Sequence, residues 1–262
     1  VGFKCNLFNI GAEGQLYIGA LASVWIGYSV TGLPFIIHMP LAFLGGALAA
    51  AVWGAIPGYL RAKTGAHEVI NTIMMNYIAF RLSDWLLSGP MKRPDSFNPV
   101  SPTIEASAML PRFFQDPIRF HLGFFIALGV AYLVYLFLYK TRWGFDHRTV
   151  GANPHAARYA GMNIVFSTIL AMSLSGALAG LAGTNEVLGV NRNLAMAFSS
   201  GYGFDSIALA LLGKSHPLGV VLASLLFGTL RKGATRMQLA AGIPIDIISV
   251  LQAMILDFIA AP

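Results

Sequence analysis

A run of 47 residues without aspartate, glutamate, lysine or arginine extends from residue 14 to residue 60. A helix that crosses the hydrocarbon core of a bilayer needs roughly 20 apolar residues, so this run is long enough for two such helices. The sequence Thr-Gly-Leu-Pro at 31–34 is a turn signal that divides it. We therefore predict one membrane helix over 14–31 and a second over 35–60.

Five more apolar stretches follow, at 68–88, 120–139, 159–185, 202–230 and 244–262. Their long runs of leucine, alanine, isoleucine and phenylalanine predict helices, because lipid offers no hydrogen-bond partner to an open backbone. The sequence therefore predicts an all-α, polytopic transmembrane helical bundle with about seven membrane segments, some of them broken or re-entrant. We expect a single transmembrane domain over residues 1–262.

The composition agrees with residence in a membrane. Charged residues make up 11% of the chain and hydrophobic residues 56%, whereas about 25% of an average soluble domain is charged. This excludes a disordered protein and an ordinary soluble enzyme. The net charge of +6 is typical of basic cytoplasmic loops, and we expect no nucleic-acid partner because no basic run carries interleaved aromatic residues. The chain begins at Val1, and we expect it to be a fragment of a longer protein.

The basic residues predict which loops face the cytoplasm. Segment 140–162 carries four basic residues and one acidic residue, and positive loops stay inside. Segment 89–119 then lies on the extracytoplasmic side, and Arg61 and Lys63 fall inside, which agrees with the same rule.

The basic cluster at 231–236 leaves two arrangements open. If 206–230 is one span, the charge rule places this cluster inside. If the chain instead folds back at Lys214–Pro217, the cluster faces outside or lines a cavity. The shortness of 202–213 and the break at Pro217 favour the second arrangement.

Polar side chains inside the apolar stretches are candidates for a substrate pathway, because such residues tend to face the bundle interior or a water-filled cavity. The candidates are Asn9, Glu13, Gln15, Asn71, Asn76 and Asn185. Gly11 and Gly14 could break the first helix and expose backbone groups to a substrate. The alternative is that these side chains cap helices and bond neighbouring helices, which we favour for Glu68.

The cytoplasmic segment 151–162 predicts a short capped helix. Asn153 is a suitable N-cap, Pro154 fits the first turn, and Gly161 can end the helix. Such a helix could fit a groove on a cytosolic partner, or it could be a simple connector. The candidate docking residues are Asn153, Pro154, His155, Ala156, Ala157, Arg158, Tyr159 and Gly161.

No motif in the sequence supports catalysis or metal binding. The sequence Gly-Lys-Ser at 213–215 is the end of a phosphate-binding pattern, but Ala208 stands where that pattern requires a glycine. The sequence contains no zinc-protease, paired-cysteine or nucleophile-elbow pattern. We therefore expect no catalytic residue, no metal site and no cofactor bound by this chain.

Four blocks of the sequence resemble a known family. They lie at 8–15, 68–79, 151–163 and 203–219, and the third reads Gly-x-Asn-x-x-Ala-Ala-x-Tyr-x-Gly-Met. Together they resemble the ribose and branched-chain amino acid permeases of ABC importers. Within that family they are most similar to the nucleoside or simple-sugar permeases that work with basic membrane lipoproteins.

The resemblance implies the membrane-spanning subunit of a bacterial ABC importer, most similar to those for nucleosides, in the inner membrane. It implies that the helix at 153–160 is a coupling helix that docks on a cytosolic ATP-binding subunit, which would hold ATP and magnesium. Further implied partners are a second permease subunit, identical or different, an extracytoplasmic substrate-binding protein and membrane lipid. Relatives carry at least one further helix before the first block, so the resemblance also implies a missing N-terminal helix.

Three alternative functions stay open at this point. One is an ABC permease for simple sugars such as ribose. Another is an ion-driven secondary transporter, which needs buried carboxylates near the membrane midplane, for which Glu13, Glu68 and Asp257 are the candidates. The third, a membrane-embedded enzyme, is disfavoured by the missing catalytic patterns.

Overall fold

The computed structural model describes residues 1–114 and 120–242, together with the single residues 247, 250 and 254. Within this part the chain is an all-helical bundle without β-strands, apart from two isolated bridges, as predicted. The helices are α1 (Ala12–Ser29), α2 (Phe35–Thr64), α3 (Glu68–Ser88), α4 (Gly123–Lys140), α5 (Arg142–Ala152), α6 (Pro154–Tyr159), α7 (Ile164–Glu186), α8 (Tyr202–Leu212) and α9 (Pro217–Ala241). The predicted span 244–262, with Asp246 and Asp257, lies almost entirely outside the described residues.

Four helices of the described chain are long and apolar enough to cross a membrane: α2, α4, α9, and α7 together with the π-helical turn Val187–Asn191 that follows it. Helices α1 and α3 are 18 and 21 residues long but carry more polar side chains. The polytopic bundle predicted from the charge-free stretches is therefore confirmed.

The segment 140–162 is not an open loop. Residues Arg142–Ala152 form the amphipathic helix α5, which begins at the cap Thr141, whose hydroxyl accepts a hydrogen bond from the backbone N–H of Gly144 at 3.0 Å. We did not predict this helix, because its charges and two glycines resemble a loop. We call the end of the bundle that holds 140–162 the inner end and the opposite end the outer end.

Helices α1, α2 and α7 form the centre of the bundle. Small residues let their backbones touch: a Cβ atom on Gly19 of α1 would collide with Gly180 of α7, and one on Gly176 would collide with the carbonyl of Ala50 in α2. Dispersion contacts over such close backbones are a main source of cohesion where the hydrophobic effect between helices is absent. Rows of small residues therefore pack the core.

Helix α4 packs mainly on α5 and α9 rather than on this centre. Its outer end is fixed where Gly123 meets the side chain of Asn185, and its inner end where Gly144 lies against the backbone of Phe137 and Leu138. Between these anchors α4 stands away from the core and leaves a cleft.

Helices α8 and α9 form a re-entrant hairpin, so the chain folds back at Lys214–Pro217 and the single-span arrangement is wrong. The turn lies at the inner end, because the ring of His216 is 5.4 Å from that of Tyr139 near the end of α4. Helix α9 then returns toward the outer end. Arg231 of α9 consequently reaches Asp205 in the first turns of α8, at 2.7 Å.

Candidate functional site

The chain is non-helical just before α1, and a cluster of amides lies there. The Asn9 amide donates to Gln15 Oε1 at 2.9 Å and to Ser175 Oγ of α7 at 2.8 Å. Asn9 Oδ1 accepts from the backbone N–H of Gly11 at 2.9 Å. Because Gly11 is the N-cap of α1, the predicted break lies before this residue, and Gly14 is inside the helix.

Helix α3 supports this break with two side chains. Asn76 Oδ1 accepts from the backbone N–H of Gly14 at 2.8 Å, and its amide donates to the carbonyl of Ile10 at 2.9 Å. Thr72 Oγ1 accepts from the backbone N–H of Ile10 at 3.3 Å. Gly14 makes this approach possible, since a Cβ there would lie 2.8 Å from Asn76. Asn76 is thus bonded within the protein at both ends of its amide.

The described carboxylates proposed for an ion-driven mechanism are also engaged. Glu13, 2% exposed, accepts a hydrogen bond from the backbone N–H of Gly203 at 2.6 Å. Glu68 pairs with Arg61 at 3.2 Å. Asp257 lies outside the described residues.

The cleft between α4 and the core contains two adjacent cavities. The inner cavity, of about 370 Å³, is bounded by the N-terminal segment, α4, α7, α8 and the start of α9. Its polar side chains include Asn9, Ser175 and Ser206. Among the predicted pathway residues, Asn9 therefore lies on this cavity.

The outer cavity, of about 350 Å³, lies nearer the outer end between α1, α4, α7 and the start of α8. The two cavities share lining residues of α4 and α7, so they form successive parts of one cleft. Asn185, Glu186 and Tyr202 supply polar side chains to an otherwise apolar wall that includes Phe43. Both cavity volumes fall in the range of about 300–1,000 Å³ typical of small-molecule sites.

The structure thus separates the six predicted pathway residues. Asn9 and Asn185 line the cleft, whereas Glu13, Gln15 and Asn76 hold the break at α1 and line neither cavity. Asn71 lies elsewhere on α3, and its buried Nδ2 has no hydrogen-bond partner within the described chain. A pathway role for each residue stays a prediction.

Sequence reasoning missed the aromatic and ionic group at the start of α8. Arg231 lies over the ring of Tyr202 at 5.0 Å from its centroid and donates to Asp205 Oδ2 and to Ser200 Oγ at 2.9 Å. The sequence contained a signal for this group, because Asp205 lies in a short apolar segment and the basic cluster at 231–236 lies in the next one. Only the fold-back arrangement would have brought the two together.

At the inner end, α6 has the predicted cap, since Asn153 Oδ1 accepts from the backbone N–H groups of His155 and Ala156. Tyr159 is 97% exposed, and Pro154, His155, Ala156 and Arg158 are exposed as well. Ala157 differs from the other candidate docking residues because it is fully buried in a cluster with Cys5 and Met172. Its side chain is therefore not available to a partner.

Helix α5 joins α6 to the cleft. Arg148 of α5 lies over the Tyr139 ring at 5.0 Å, and Tyr139 stacks on His216 at the hairpin turn. His147 is fully buried on the same helix, and burial lowers the pKa of its imidazole to about 4. The imidazole is therefore neutral near pH 7, and the positive charge of the segment lies on Lys140 and its three arginines.

The described residues contain no group of histidine, cysteine, aspartate or glutamate that could hold a metal ion.

In comparisons with known proteins, residues 2–260 match the family model of the branched-chain amino acid transport system permease component. No solved structure matches the chain significantly.

Three curated relatives are similar over nearly the whole chain. The guanosine ABC transporter permease protein NupP of Bacillus subtilis is 42% identical, over 99% of this chain and 75% of that protein. The glucose ABC transporter permease protein TsgB13 of Haloferax volcanii is 37% identical, over 98% and 70%. The nucleoside ABC transporter permease protein NupB of Lactococcus lactis is 36% identical, over 99% and 73%. The chain therefore belongs to the family of branched-chain amino acid transport system permease components, and it is a multi-pass permease subunit of an ABC importer in the inner membrane.

Proposed function

We propose that this permease imports nucleosides and that a separate cytosolic subunit, which binds ATP and magnesium, drives it through α6. Two of the three relatives described above are named for guanosine or nucleosides. The observation that carries the coupling role is α6 itself, a short helix capped by Asn153 that exposes Tyr159 at the basic inner end.

A sugar is the second candidate substrate, since the relative TsgB13 is named for glucose and is 37% identical. A nucleoside contains a pentose as well as a base, so both candidates share hydroxyl groups. Competition between guanosine, ribose and glucose for uptake would decide between them.

The complex would contain three further kinds of protein or surface. A substrate-binding protein would deliver the nucleoside to the outer end, where segment 89–119 lies. A second permease subunit, identical or related, and lipid would cover the apolar outer faces of the helices. One such face on α2 consists of exposed Ile37, Leu41, Leu44, Leu48 and Val52. Binding of ATP in the partner would draw the docking helices together and alternate access to the cleft.

The docking role of α6 predicts that Tyr159→Ala weakens binding of the ATP-binding subunit and lowers ATP-dependent nucleoside uptake about tenfold or more. The reason is that truncation of an aromatic residue at a protein interface often weakens the binding free energy by roughly 2 kcal/mol or more. The measurement is uptake by the reconstituted complex, together with co-purification of the two subunits. Uptake by the reconstituted wild-type complex is the reference value for uptake by the variant.

A matched control is Phe97→Ala, since Phe97 is 100% exposed but lies in the segment at the outer end. It should leave the association with the ATP-binding subunit unchanged. If Tyr159→Ala retains full uptake and association, α6 is not the docking element. Ala157→Asp would be a poor test, because it buries a charge.

A further inference from the structure

Asn185 has an unusual position at the outer cavity. It lies at the end of α7, and its Oδ1 atom is buried without a hydrogen-bond partner. None of the hydrogen bonds in the described chain uses its side chain, although buried side-chain polar atoms are bonded in the large majority of cases. The side chain lines the cavity and bonds nothing in the described protein, so a ligand that reaches the amide after a rotation of its end group would satisfy it.

The Asn185 amide can present either end to the cavity. Its Oδ1 packs against Gly123 at the start of α4, where a Cβ atom would collide with it. Rotation about the bond between Cβ and Cγ is soft in asparagine, so oxygen and nitrogen can exchange places. Because Oδ1 is buried against Gly123 in this rotamer, it becomes an acceptor for a ligand in the cavity only after this exchange.

Tyr202 adds an aromatic surface to the same cavity. Arg231 covers one face of the Tyr202 ring, and Arg231 does not line the cavity. The part of Tyr202 that reaches the cavity is therefore different from the ring face that the guanidinium covers. Asp205 and Ser200 hold that guanidinium in place. The ring is thereby positioned, and 39% of the residue is exposed.

The chemistry of the wall distinguishes a base from a sugar. Polar side chains of the described wall come from Asn185, Glu186 and Tyr202, and most other lining residues are apolar. Every hydroxyl group of a sugar needs a hydrogen-bond partner, and a hydroxyl group left without one in an apolar site disfavours binding. A nucleobase is flat and aromatic, with only a few polar atoms at its edge, so it suits an amide beside an aromatic ring.

We infer that the outer cavity is a nucleobase subsite, in which Tyr202 contacts the face of the base and Asn185 bonds its edge. This inference rests on the proposed nucleoside import and specifies where the permease distinguishes its substrate. Asp205 and Arg231 are positioning residues, because they act on the substrate through the Tyr202 ring.

The test uses the complete importer in proteoliposomes and compares two labelled nucleosides. Guanosine carries N–H donors at the edge of its base, whereas purine riboside carries none. Asn185→Leu should lower guanosine uptake about tenfold, the effect of losing one hydrogen bond, and should lower purine riboside uptake by a smaller factor, because the ring nitrogens of purine riboside can only accept from the amide. A change in this ratio cannot come from misfolding, which lowers the uptake of both. Asn185→Asp, which keeps an acceptor, should retain a preference for guanosine.

Variants of the aromatic residue test the other half of the subsite. Tyr202→Leu should lower uptake of both nucleosides about tenfold, since it removes the aromatic ring on which the base stacks, and Tyr202→Phe should stay within about twofold of the wild type. Tyr77→Leu is the matched control, because Tyr77 is exposed on α3 and lines neither cavity.

The outcomes separate the two proposals. A wild-type complex that takes up no nucleoside contradicts the proposed function. A wild-type complex that takes up guanosine, with an unchanged guanosine to purine riboside ratio in Asn185→Leu or with full uptake in Tyr202→Leu, contradicts the subsite alone.

Discussion

At the scale of single residues, buried polar groups of this bundle fall into two kinds. Glu13 and Asn76 use their oxygen atoms to satisfy backbone N–H groups of neighbouring segments. Asn185 satisfies nothing in the described protein. The first kind stabilises a broken helix where lipid would leave the backbone without partners. A group of the second kind that also lines a cavity, as Asn185 does, is where we expect a ligand.

Glu13 provides a direct test of the first kind. Glu13→Ala removes the acceptor for the buried N–H of Gly203, and an acceptor lost from such a group costs about 1–3 kcal/mol. We expect a lower midpoint of thermal unfolding in detergent and faster hydrogen exchange at the start of α8.

Glu13→Gln is the matched variant, because its amide oxygen can still accept from Gly203. It should lose less stability than Glu13→Ala and keep slower exchange. Equal exchange at α8 in wild type and Glu13→Ala would show that this hydrogen bond does not hold the helix.

The sequence identifies these residues as polar positions in apolar stretches but not their partners. Asn9 and Ser175 are 166 residues apart, and Glu13 and Gly203 are 190 apart. Pairing over such separations depends on which helices are neighbours, and one sequence does not contain that information. The prediction of pathway residues therefore combined residues of the cleft with residues that hold the break.

At the scale of helices, small residues decide which elements are immobile relative to one another. Gly46 and Gly54 of α2 lie against α1 and α7 so closely that a Cβ atom on either would meet backbone atoms. Gly129 in the middle of α4 shows the contrast, since no neighbouring atom lies within 4 Å of a Cβ atom added there.

This contrast predicts opposite effects of the same substitution. Gly19→Ala should lower the free energy of unfolding by about 1–3 kcal/mol, because the added methyl group forces α1 from α7. Gly129→Ala should be neutral or should stabilise α4 by up to about 1 kcal/mol, since alanine favours helix. Thermal unfolding of both variants in the same detergent is the measurement.

Equal destabilisation by the two substitutions would contradict the packing described for the core.

The rows of small residues were visible in the sequence, and so were the helices: α3 lies at the predicted residues 68–88. Helix α5 was not visible, because a short helix on a membrane surface needs no long apolar run.

At the scale of the whole molecule, the distribution of charge is a guide to the sides of the membrane only where helices are single spans. The hairpin of α8 and α9 places Arg231 beside Asp205, so this cation is paired within the bundle and does not mark a cytoplasmic loop. A buried or half-buried ion pair removes the reason for the charge rule at that position.

The hairpin predicts opposite sides for its turn and for the end of α9. Cys5 is the sole cysteine of the sequence and is buried, so Cys5→Ser gives a background for single cysteines. In that background Lys214→Cys should react with a membrane-impermeant maleimide only from the cytoplasmic side. Leu239→Cys, at a position that is 82% exposed, should react from the outside.

In the single-span arrangement, residue 239 would react from the cytoplasmic side. Residue 214 would not react, because lipid would shield it. Labelling of intact cells and of inverted vesicles separates the two arrangements. A cytoplasmic position for residue 239 would therefore contradict the hairpin.

The separation of α4 from the core has a mechanical consequence. Helices α1, α2 and α7 meet through close backbone contacts, whereas α4 meets the rest of the bundle at its two ends and along α9, and it forms a wall of both cavities. Its inner end continues through Thr141 into α5 and then α6, and it also touches the tip of the hairpin at His216. A force applied at α6 therefore reaches α4 through α5 and reaches α7 through the buried cluster of Ala157 and Met172, so it acts on both sides of the cleft, of which α4 is the more loosely packed.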